Sequence, residues 1–184
     1  MLILASQSPR RRELLGLICR DFAVRPAHID ETSDERDPEA RVLEIAAKKA
    51  RAISAAGDDV VISADTTVFL DGLFLEKPEN DLDARRILRL LSGRTHTVYT
   101  GVCVVAGGAQ RVFCEATGVT FYPLTDAEID AYIACGEGRD KAGAYGIQGE
   151  GALLVRRIDG DFYNVMGLPV ARLARVLRDL DADV

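Results

Sequence analysis

Three consecutive arginines, Arg10, Arg11 and Arg12, stand in the first turn of a predicted helix. The positive end of the helix dipole lies there and disfavours each cation by about 0.3–1 kcal/mol, so helix starts normally carry Asp or Glu. The arginines are therefore either solvated or part of an anion site built from guanidinium groups and free helix N–H groups. The hydroxyls of Ser6 and Ser8, just before the helix, add donors and favour the anion site.

Lys49 falls on the apolar stripe of the second predicted helix. It follows Val42 by seven positions and Ile45 by four, whereas Lys48 falls on the polar side. A lysine on such a stripe either extends its ammonium past the apolar surface into solvent or directs a half-buried ammonium at a phosphate. The first alternative is the commoner one for a single lysine, so this position carries weight only together with others.

Asp65 and Thr66 directly follow an apolar strand. Ligands of α/β proteins gather at the carboxyl ends of strands, so this carboxylate suits a metal ion or a reacting water. The alternative is an ordinary aspartate that begins a turn. Asp30 and Glu31, in a polar loop, offer a second carboxylate, and Lys77 projects from an extended segment fixed by the proline that follows it.

Carboxylates and cations in this combination suit the hydrolysis of a polyphosphate. A divalent metal ion neutralises phosphate charge and lowers the pKa of its bound water, while protein cations hold the leaving group. Each cation–phosphate pair contributes about 4 kcal/mol at a separation of about 4 Å and an effective dielectric constant of about 20, before desolvation. Three or four such contacts would overcome the repulsion from an acidic protein.

The composition limits the metal, the compartment and the partners. The chain has 184 residues, 48% of them hydrophobic, and 4 cysteines without C-x-x-C spacing, which predicts a domain kept in the reducing cytoplasm. Two histidines are too few for a zinc site, so Mg²⁺ or Mn²⁺ held by carboxylates is expected. The net charge of −6 and the lack of an apolar stretch of roughly 20 residues argue against nucleic-acid binding and a membrane span.

The elements that must position these residues mix helices and strands. Predicted helices cover residues 9–18, 37–57, 80–91 and 125–135, and a last one begins at Pro169. Strands are predicted at 2–5, 21–25, 59–64, 95–106 and 110–122, with hairpins over 67–75 and 152–165. The mixed order predicts an α/β or α+β fold around a long twisted sheet.

Several short blocks of sequence together resemble the Maf (septum formation) family. They occur in the family's order and span nearly the whole chain, so their joint specificity is high. The blocks are SQSPRRRELL at 6–15, IDE at 29–31, KKARA at 48–52, SADT at 63–66, EKP at 76–78, LSGRTH at 91–96, DKAGAYGIQG at 140–149 and GLP at 167–169. The family often has Gly where this chain has Gln7, a small departure within the first block.

The resemblance implies a single domain over residues 1–184 with a fold similar to the inosine triphosphate pyrophosphatases. That fold is an elongated, twisted mixed sheet flanked by helices, in two lobes with a central cleft. The implied activity is hydrolysis of a nucleoside triphosphate to the monophosphate and pyrophosphate. The motif AYGIQG at 144–149 is similar to the branch that acts on dTTP and UTP rather than the branch that prefers 7-methyl-GTP.

The same resemblance implies the roles of individual residues. Asp65 matches the catalytic base, and the other catalytic positions are matched by Glu31, Lys49 and Lys77. The expected substrate-binding residues are Ser6, Ser8, Arg10, Arg11, Thr66 and Gln148. Of these, Arg11, Thr66 and Gln148 match positions associated with substrate choice.

In the expected mechanism, Asp65 and Glu31 hold Mg²⁺ or Mn²⁺, and Asp65 takes a proton from the water that attacks the α-phosphorus. Lys49, Lys77 and the N-terminal arginines stabilise the departing pyrophosphate. The sequence fits equally well the reverse assignment, with Glu31 as the base and Asp65 only as a metal ligand.

Two other classes of function fit the sequence less well than a pyrophosphatase does. A nucleotide-binding regulator of septum formation or cell division would turn over little substrate, but the complete set of catalytic-type residues favours an enzyme. A kinase or other phosphoryl transferase lacks support because the chain has no G-x-x-x-x-G-K-[ST] loop. The expected partner is a small nucleotide, and the oligomeric state, including a homodimer, is left open.

Overall fold

The computed structural model of the chain describes residues 1–180 and shows a mixed α/β protein. Its strands are β1 (Leu2–Leu4), β2 (Ala23–Val24), β3 (Val60–Leu70), β4 (Leu73–Leu75), β5 (Thr95–Ala106), β6 (Ala109–Phe121) and β7 (Val155–Asp159). Its α-helices are α1 (Pro9–Leu15), α2 (Pro38–Arg51), α3 (Asp81–Leu91), α4 (Asp126–Cys135), α5 (Phe162–Met166) and α6 (Val170–Asp179). Two short 3-10 helices cover Ala142–Ala144 and Gly149–Leu153.

The strands form one mixed sheet in the order β2-β1-β3-β5-β6-β7, and β4 pairs with β3. β1 pairs in parallel with both β2 and β3, with Ile3 opposite Ala23 and Val61. β4 and β7 run antiparallel to β3 and β6, respectively. The predicted fold class is therefore confirmed.

The chain forms two compact units. The first contains Met1–Thr66, Thr100–Glu115 and the C-terminal part from Gly167, and the second contains Thr67–Tyr99 and Ala116–Met166. Apolar side chains of β1, α2, β3 and β5 form a core in the first unit. A larger core in the second unit is built on α3, β6 and α4.

Local signals explain where the helices begin. The side chains of Ser8, Asp37, Asn80 and Thr125 accept backbone N–H groups at the starts of α1, α2, α3 and α4, as such caps do. α2 ends before the predicted boundary at residue 57. The Ile53 N–H donates a hydrogen bond to the Ala50 carbonyl, which ends the helix, and the Ile53 side chain packs against the core. In the described part of the chain, no helix combines the length and apolar character that crossing a bilayer requires.

The predicted hairpin over residues 152–165 is wrong. Its first strand exists as β7, but β7 pairs with β6, and the chain then forms α5 instead of a returning strand. Thr117 Oγ1 receives the Asp161 N–H and donates to the Asp161 carbonyl, both at 3.1 Å, which turns the chain at that residue. Asn164 then enters the core and donates 3.0 Å to the Val98 carbonyl.

β3 is longer than predicted, because the strand over 59–64 and the first strand of the hairpin over 67–75 are continuous. Asp65 and Thr66 therefore lie within a strand and do not follow its end. The parallel partner β1 stops earlier, since its last pair is Leu4 with Ile62. Asp65 thus still lies just past the carboxyl end of a parallel strand, which is the place expected for a ligand-binding residue.

Candidate functional site

Lys49 joins the two predicted catalytic carboxylates. Its Nζ lies 2.9 Å from Asp65 Oδ1 and 2.8 Å from Glu31 Oε2. Lys49 is only 6% exposed, so its ammonium is directed at the carboxylates and does not extend into solvent. The two carboxylate oxygens lie close together because both contact the same nitrogen.

The buried position of Lys49 follows from the apolar stripe of α2. Val42 and Ile45 of that stripe are buried in the first unit. Lys48 lies on the other side, where its Nζ pairs with Glu44 at 2.6 Å and donates 3.2 Å to the Thr32 carbonyl. The predicted division between the two adjacent lysines is confirmed.

The outer side of α2 also holds the loop that carries Glu31. Arg41 donates 2.7 Å to the Ser33 carbonyl, and Ser33 Oγ donates to the Glu44 carboxylate. The Asp30 carboxylate accepts the Thr32 N–H at 3.0 Å, which closes a local turn. Asp30 thus stabilises the loop, and Glu31 is the carboxylate that reaches Lys49.

Arg11 is the centre of a second network in the first unit. Its guanidinium donates to the Gly167 carbonyl at 2.8 Å, to Thr66 Oγ1 at 3.0 Å and to Ser6 Oγ at 3.3 Å. Its backbone N–H donates 3.4 Å to Ser8 Oγ, the cap of α1. Four residues expected to bind substrate, namely Ser6, Ser8, Arg11 and Thr66, are therefore joined by hydrogen bonds.

The three N-terminal arginines differ in their surroundings. Arg12 is exposed and Arg10 is half-buried, whereas Arg11 turns inward to its neutral oxygen partners. Burial lowers the pKa of Arg11, while the charges of Asp65 and Glu31 oppose that shift. The guanidinium stays charged near neutral pH because its ordinary pKa is so high.

The charges of four residues at the first unit's site cancel before substrate is bound. Asp65 and Glu31 contribute two negative charges, and Lys49 and Arg11 contribute two positive ones. All four groups interact, since both carboxylates contact Lys49 and both act on the pKa of Arg11. A triphosphate needs additional positive charge, from further cations of the chain or from a metal ion.

Lys77 and Gln148, also predicted as site residues, belong to the second unit. Lys77 is exposed after β4, and Pro78 follows it as expected. Gln148 is exposed at the start of the second 3-10 helix, where its side chain makes no capping hydrogen bond. Both side chains are accessible to a ligand.

Gly167 and Thr100 contact residues of the site, although the sequence around them predicts no role for either. Gly167 has a φ of +109°, a backbone conformation that side chains rarely adopt, and its carbonyl receives the Arg11 Nε–H. Thr100 Oγ1 and Thr66 Oγ1 are hydrogen bonded at 2.9 Å. The GLP block marks Gly167 as unusual, whereas Thr100 has no distinguishing signal because its partner lies 34 residues away.

The acidic groups fit a hard divalent cation that shares its coordination with a ligand. Within residues 1–180, no cluster of three or more His, Cys, Asp or Glu side chains is suited to hold a metal ion. Asp65 and Glu31 by themselves provide a metal ion with two carboxylate ligands. Mg²⁺ is typically bound through one or two carboxylates, with phosphate oxygens and water completing its coordination, and Mn²⁺ favours the same donors.

Comparison with known proteins shows the family and the fold. A dTTP/UTP pyrophosphatase of Moorella thermoacetica is 50% identical, and the match covers the whole of this chain and 96% of that protein. A dTTP/UTP pyrophosphatase of Bacillus mycoides is 47% identical, and the match covers the whole of this chain and 97% of that protein. A HAM1 protein from Coxiella burnetii shares the fold, with a TM-score of 0.55 over 97% of this chain and 98% of that one, at 17% identity. The family model described as Maf-like protein matches residues 1–180, so the chain belongs to the Maf family.

Proposed function

We propose that this chain is a nucleoside triphosphate pyrophosphatase that hydrolyses dTTP and UTP to the monophosphate and pyrophosphate. The contact of one buried ammonium with two carboxylates carries the proposal, because it provides a base and a metal-binding pair at one place. The full-length relatives named dTTP/UTP pyrophosphatase support the reaction and the substrates.

Asp65 is the general base in this proposal, and it takes a proton from the water that attacks the α-phosphorus. Its side chain is 14% exposed, lies on a central strand and is held by Lys49. Glu31 is 54% exposed and stands in a loop. A base must be held within hydrogen-bond reach of the water, and the more firmly held carboxylate suits that role, while Glu31 serves as a metal ligand.

Asp65 and Glu31 would hold a divalent ion, Mg²⁺ or Mn²⁺, with the remaining ligands supplied by phosphate and water. Such an ion supplies positive charge against the phosphates and makes water a better nucleophile. Lys49 keeps both carboxylates near each other, since it contacts one oxygen of each.

The remaining cations bind the pyrophosphate that leaves. In the first unit, Arg10 is assigned to this role together with the hydroxyls of Ser6 and Ser8. Lys77 keeps the catalytic role that the family resemblance implies for it. Arg11 and Thr66 are assigned to substrate choice on the family resemblance, and the guanidinium bonds of Arg11 hold its side chain beside Thr66. Because neutral oxygens already hold the Arg11 guanidinium in place, it needs little rearrangement when a phosphate binds.

A panel of nucleotides tests the function. Wild-type protein with Mg²⁺ or Mn²⁺ is expected to release pyrophosphate and monophosphate from dTTP and UTP well ahead of CTP, purine triphosphates and 7-methyl-GTP. The two products are quantified separately, since release of orthophosphate would indicate a different reaction. Binding without turnover would instead support a nucleotide-binding regulator, and equal kcat/KM for UTP and 7-methyl-GTP would contradict the substrate assignment.

The base preference is assigned to Gln148. Its amide can pair with a carbonyl and the N3–H of uracil or thymine, whereas cytosine presents the opposite pattern at N3. Each wrong pairing leaves buried polar groups unmatched, at about 1–3 kcal/mol or roughly 5–150-fold in kcat/KM. Gln148→Ala is therefore expected to narrow the gap between UTP and CTP while pyrophosphate release persists.

Lys49→Ala is expected to lower kcat/KM for UTP by about 10–100-fold, the usual loss for a group that supports metal ligands. The reason is that two neighbouring carboxylates lose the ammonium they share. Lys77→Ala is also expected to weaken catalysis. Lys48→Ala should weaken it less than Lys49→Ala or Lys77→Ala, since Lys48 contacts Glu44 and the loop backbone on the outer side of α2. Steady-state kinetics measures all three.

The matched control is Arg51→Ala, which removes an exposed cation from the last turn of the same helix. Exposed substitutions of this kind have small effects, and activity within about twofold of wild type is expected. If Lys48→Ala and Lys49→Ala lose the same activity, the assignment of Lys49 is wrong.

A further inference from the structure

The segment that carries Gln148 is held on both sides by α4 and the residues just after it. We propose that Glu137 is a positioning residue that sets base selectivity, because its carboxylate fixes the backbone from which Gln148 projects. The inference rests on the proposed function, in which Gln148 recognises the base. All of the contacts that carry it lie within the second unit.

The Glu137 carboxylate binds the backbone directly after Gln148. Oε1 accepts the Glu150 N–H at 3.2 Å, and Oε2 accepts the Gly151 N–H at 3.3 Å. The carboxylate offers one oxygen to each amide, so both hydrogen bonds can form at the same time. One side chain therefore holds two successive amides, two and three residues after Gln148.

The glycines of this segment allow the backbone to approach the carboxylate. Gly149 has a φ of +60°, and a Cβ there would lie 2.3 Å from Glu137 Oε1. A Cβ on Gly151 would lie 1.8 Å from the Gly146 carbonyl oxygen. The positive φ of Gly149 and the close backbone contact at Gly151 therefore both favour glycine in this segment.

The backbone before Gln148 has anchors of its own. The buried Tyr132 hydroxyl accepts the Gly146 N–H at 3.0 Å, and the Tyr145 hydroxyl is hydrogen bonded to His96 Nε2 at 2.8 Å. Burial raises the pKa of Tyr132 to about 12 and lowers that of His96 to about 4. The Tyr132 hydroxyl and the His96 ring therefore stay uncharged near neutral pH.

Gln148 projects from between these anchors with an exposed side chain that makes no capping bond. Its amide is accessible to a base, while its backbone is restricted on both sides. A fixed backbone sets the position from which the Gln148 amide reaches the base, so the distances of its hydrogen bonds to the carbonyl and N3–H of uracil depend on this segment. Loss of Glu137 leaves the two amides without their acceptor and frees the segment after Gln148.

The test compares Glu137→Ala with Glu137→Gln, using kcat and KM for UTP and CTP. Glu137→Ala is expected to lower the UTP:CTP ratio of kcat/KM by about 10-fold, the effect of one misplaced hydrogen-bonding group. The loss should appear as a higher KM for UTP, with kcat for UTP changed by no more than about threefold. Glu137→Gln keeps one acceptor oxygen but turns an NH2 donor toward the second amide. It should therefore lower the ratio less than Glu137→Ala does, in a folded protein.

The matched control is Arg139→Ala, which removes an exposed charge from the same loop but none of the anchors. Its UTP:CTP ratio should equal that of wild type. In a Gln148→Ala background, Glu137→Ala should change the ratio no further, because the side chain that it positions is absent.

Two results would overturn the inference. One is an unchanged UTP:CTP ratio in both Glu137 variants while wild type hydrolyses UTP, which leaves the proposed function intact. The other is an equal fall of kcat for both nucleotides, which indicates a general loss of structure and not a change in base selection. Wild-type protein without UTP turnover would overturn the proposed function itself and this inference with it.

Discussion

Replacing Asp65 with Asn is expected to lower kcat by about 100-fold or more, in line with typical general-base contributions. Asn keeps the shape of the side chain and one acceptor oxygen but cannot take a proton at neutral pH. It also removes one negative charge from the pair of carboxylates proposed to hold the metal ion. The fold should survive, because Lys49 keeps its contact with Glu31 at 2.8 Å.

The control for Asp65→Asn is Asp58→Asn, an exposed position just before β3. Circular dichroism and thermal unfolding check that both variants are folded, and steady-state kinetics at saturating metal gives kcat. A comparison with Glu31→Gln separates the two candidate bases, since the larger loss of kcat should follow replacement of the base. Asp65→Asn within about threefold of wild type would show that Asp65 has no such role.

Removal of divalent cations is expected to abolish turnover, and added Mg²⁺ or Mn²⁺ to restore it. The physical reason is the charge of the site, where two carboxylates are balanced by Lys49 and Arg11 before a triphosphate arrives. Without a metal ion, the carboxylates would repel the phosphates that they must approach. Treatment with EDTA followed by titration of each metal, with pyrophosphate release as the measurement, tests the expectation.

The metal requirement can be traced to its ligands with the same assay. Glu31→Gln should raise the metal concentration needed for half-maximal activity, because one of the two oxygen donors is weakened. Arg51→Ala should leave that concentration unchanged. Full activity after exhaustive chelation would rule out the metal in the proposed mechanism.

Features with partners close in sequence were predictable from the chain alone. Ser8 and Asn80 cap their helices by accepting an N–H three residues ahead. Asp71 and Gly72, both with positive φ, make the predicted hairpin turn between β3 and β4. Lys49 lies on the buried side of α2 because the helical period alone sets which residues share a face.

The hairpin prediction that was wrong depended on distant partners. The sequence over 152–165 predicted a hairpin, but β7 pairs with β6 instead. The chain was then free to form α5, held through Thr117, which lies 44 residues before Asp161. A turn motif states where the chain bends and does not state which strand lies alongside.

The sequence by itself determined the family, the types of side chain in the candidate site and the helices and turns that carry many of them. Only the tertiary structure decided which of these side chains meet. Arg11 bonds to Gly167 across 156 residues and to Thr66 across 55, and Glu137 bonds to amides 13 and 14 residues away. Such contacts depend on how strands, helices and glycine turns pack together, and local periodicity and capping signals carry no information about that packing.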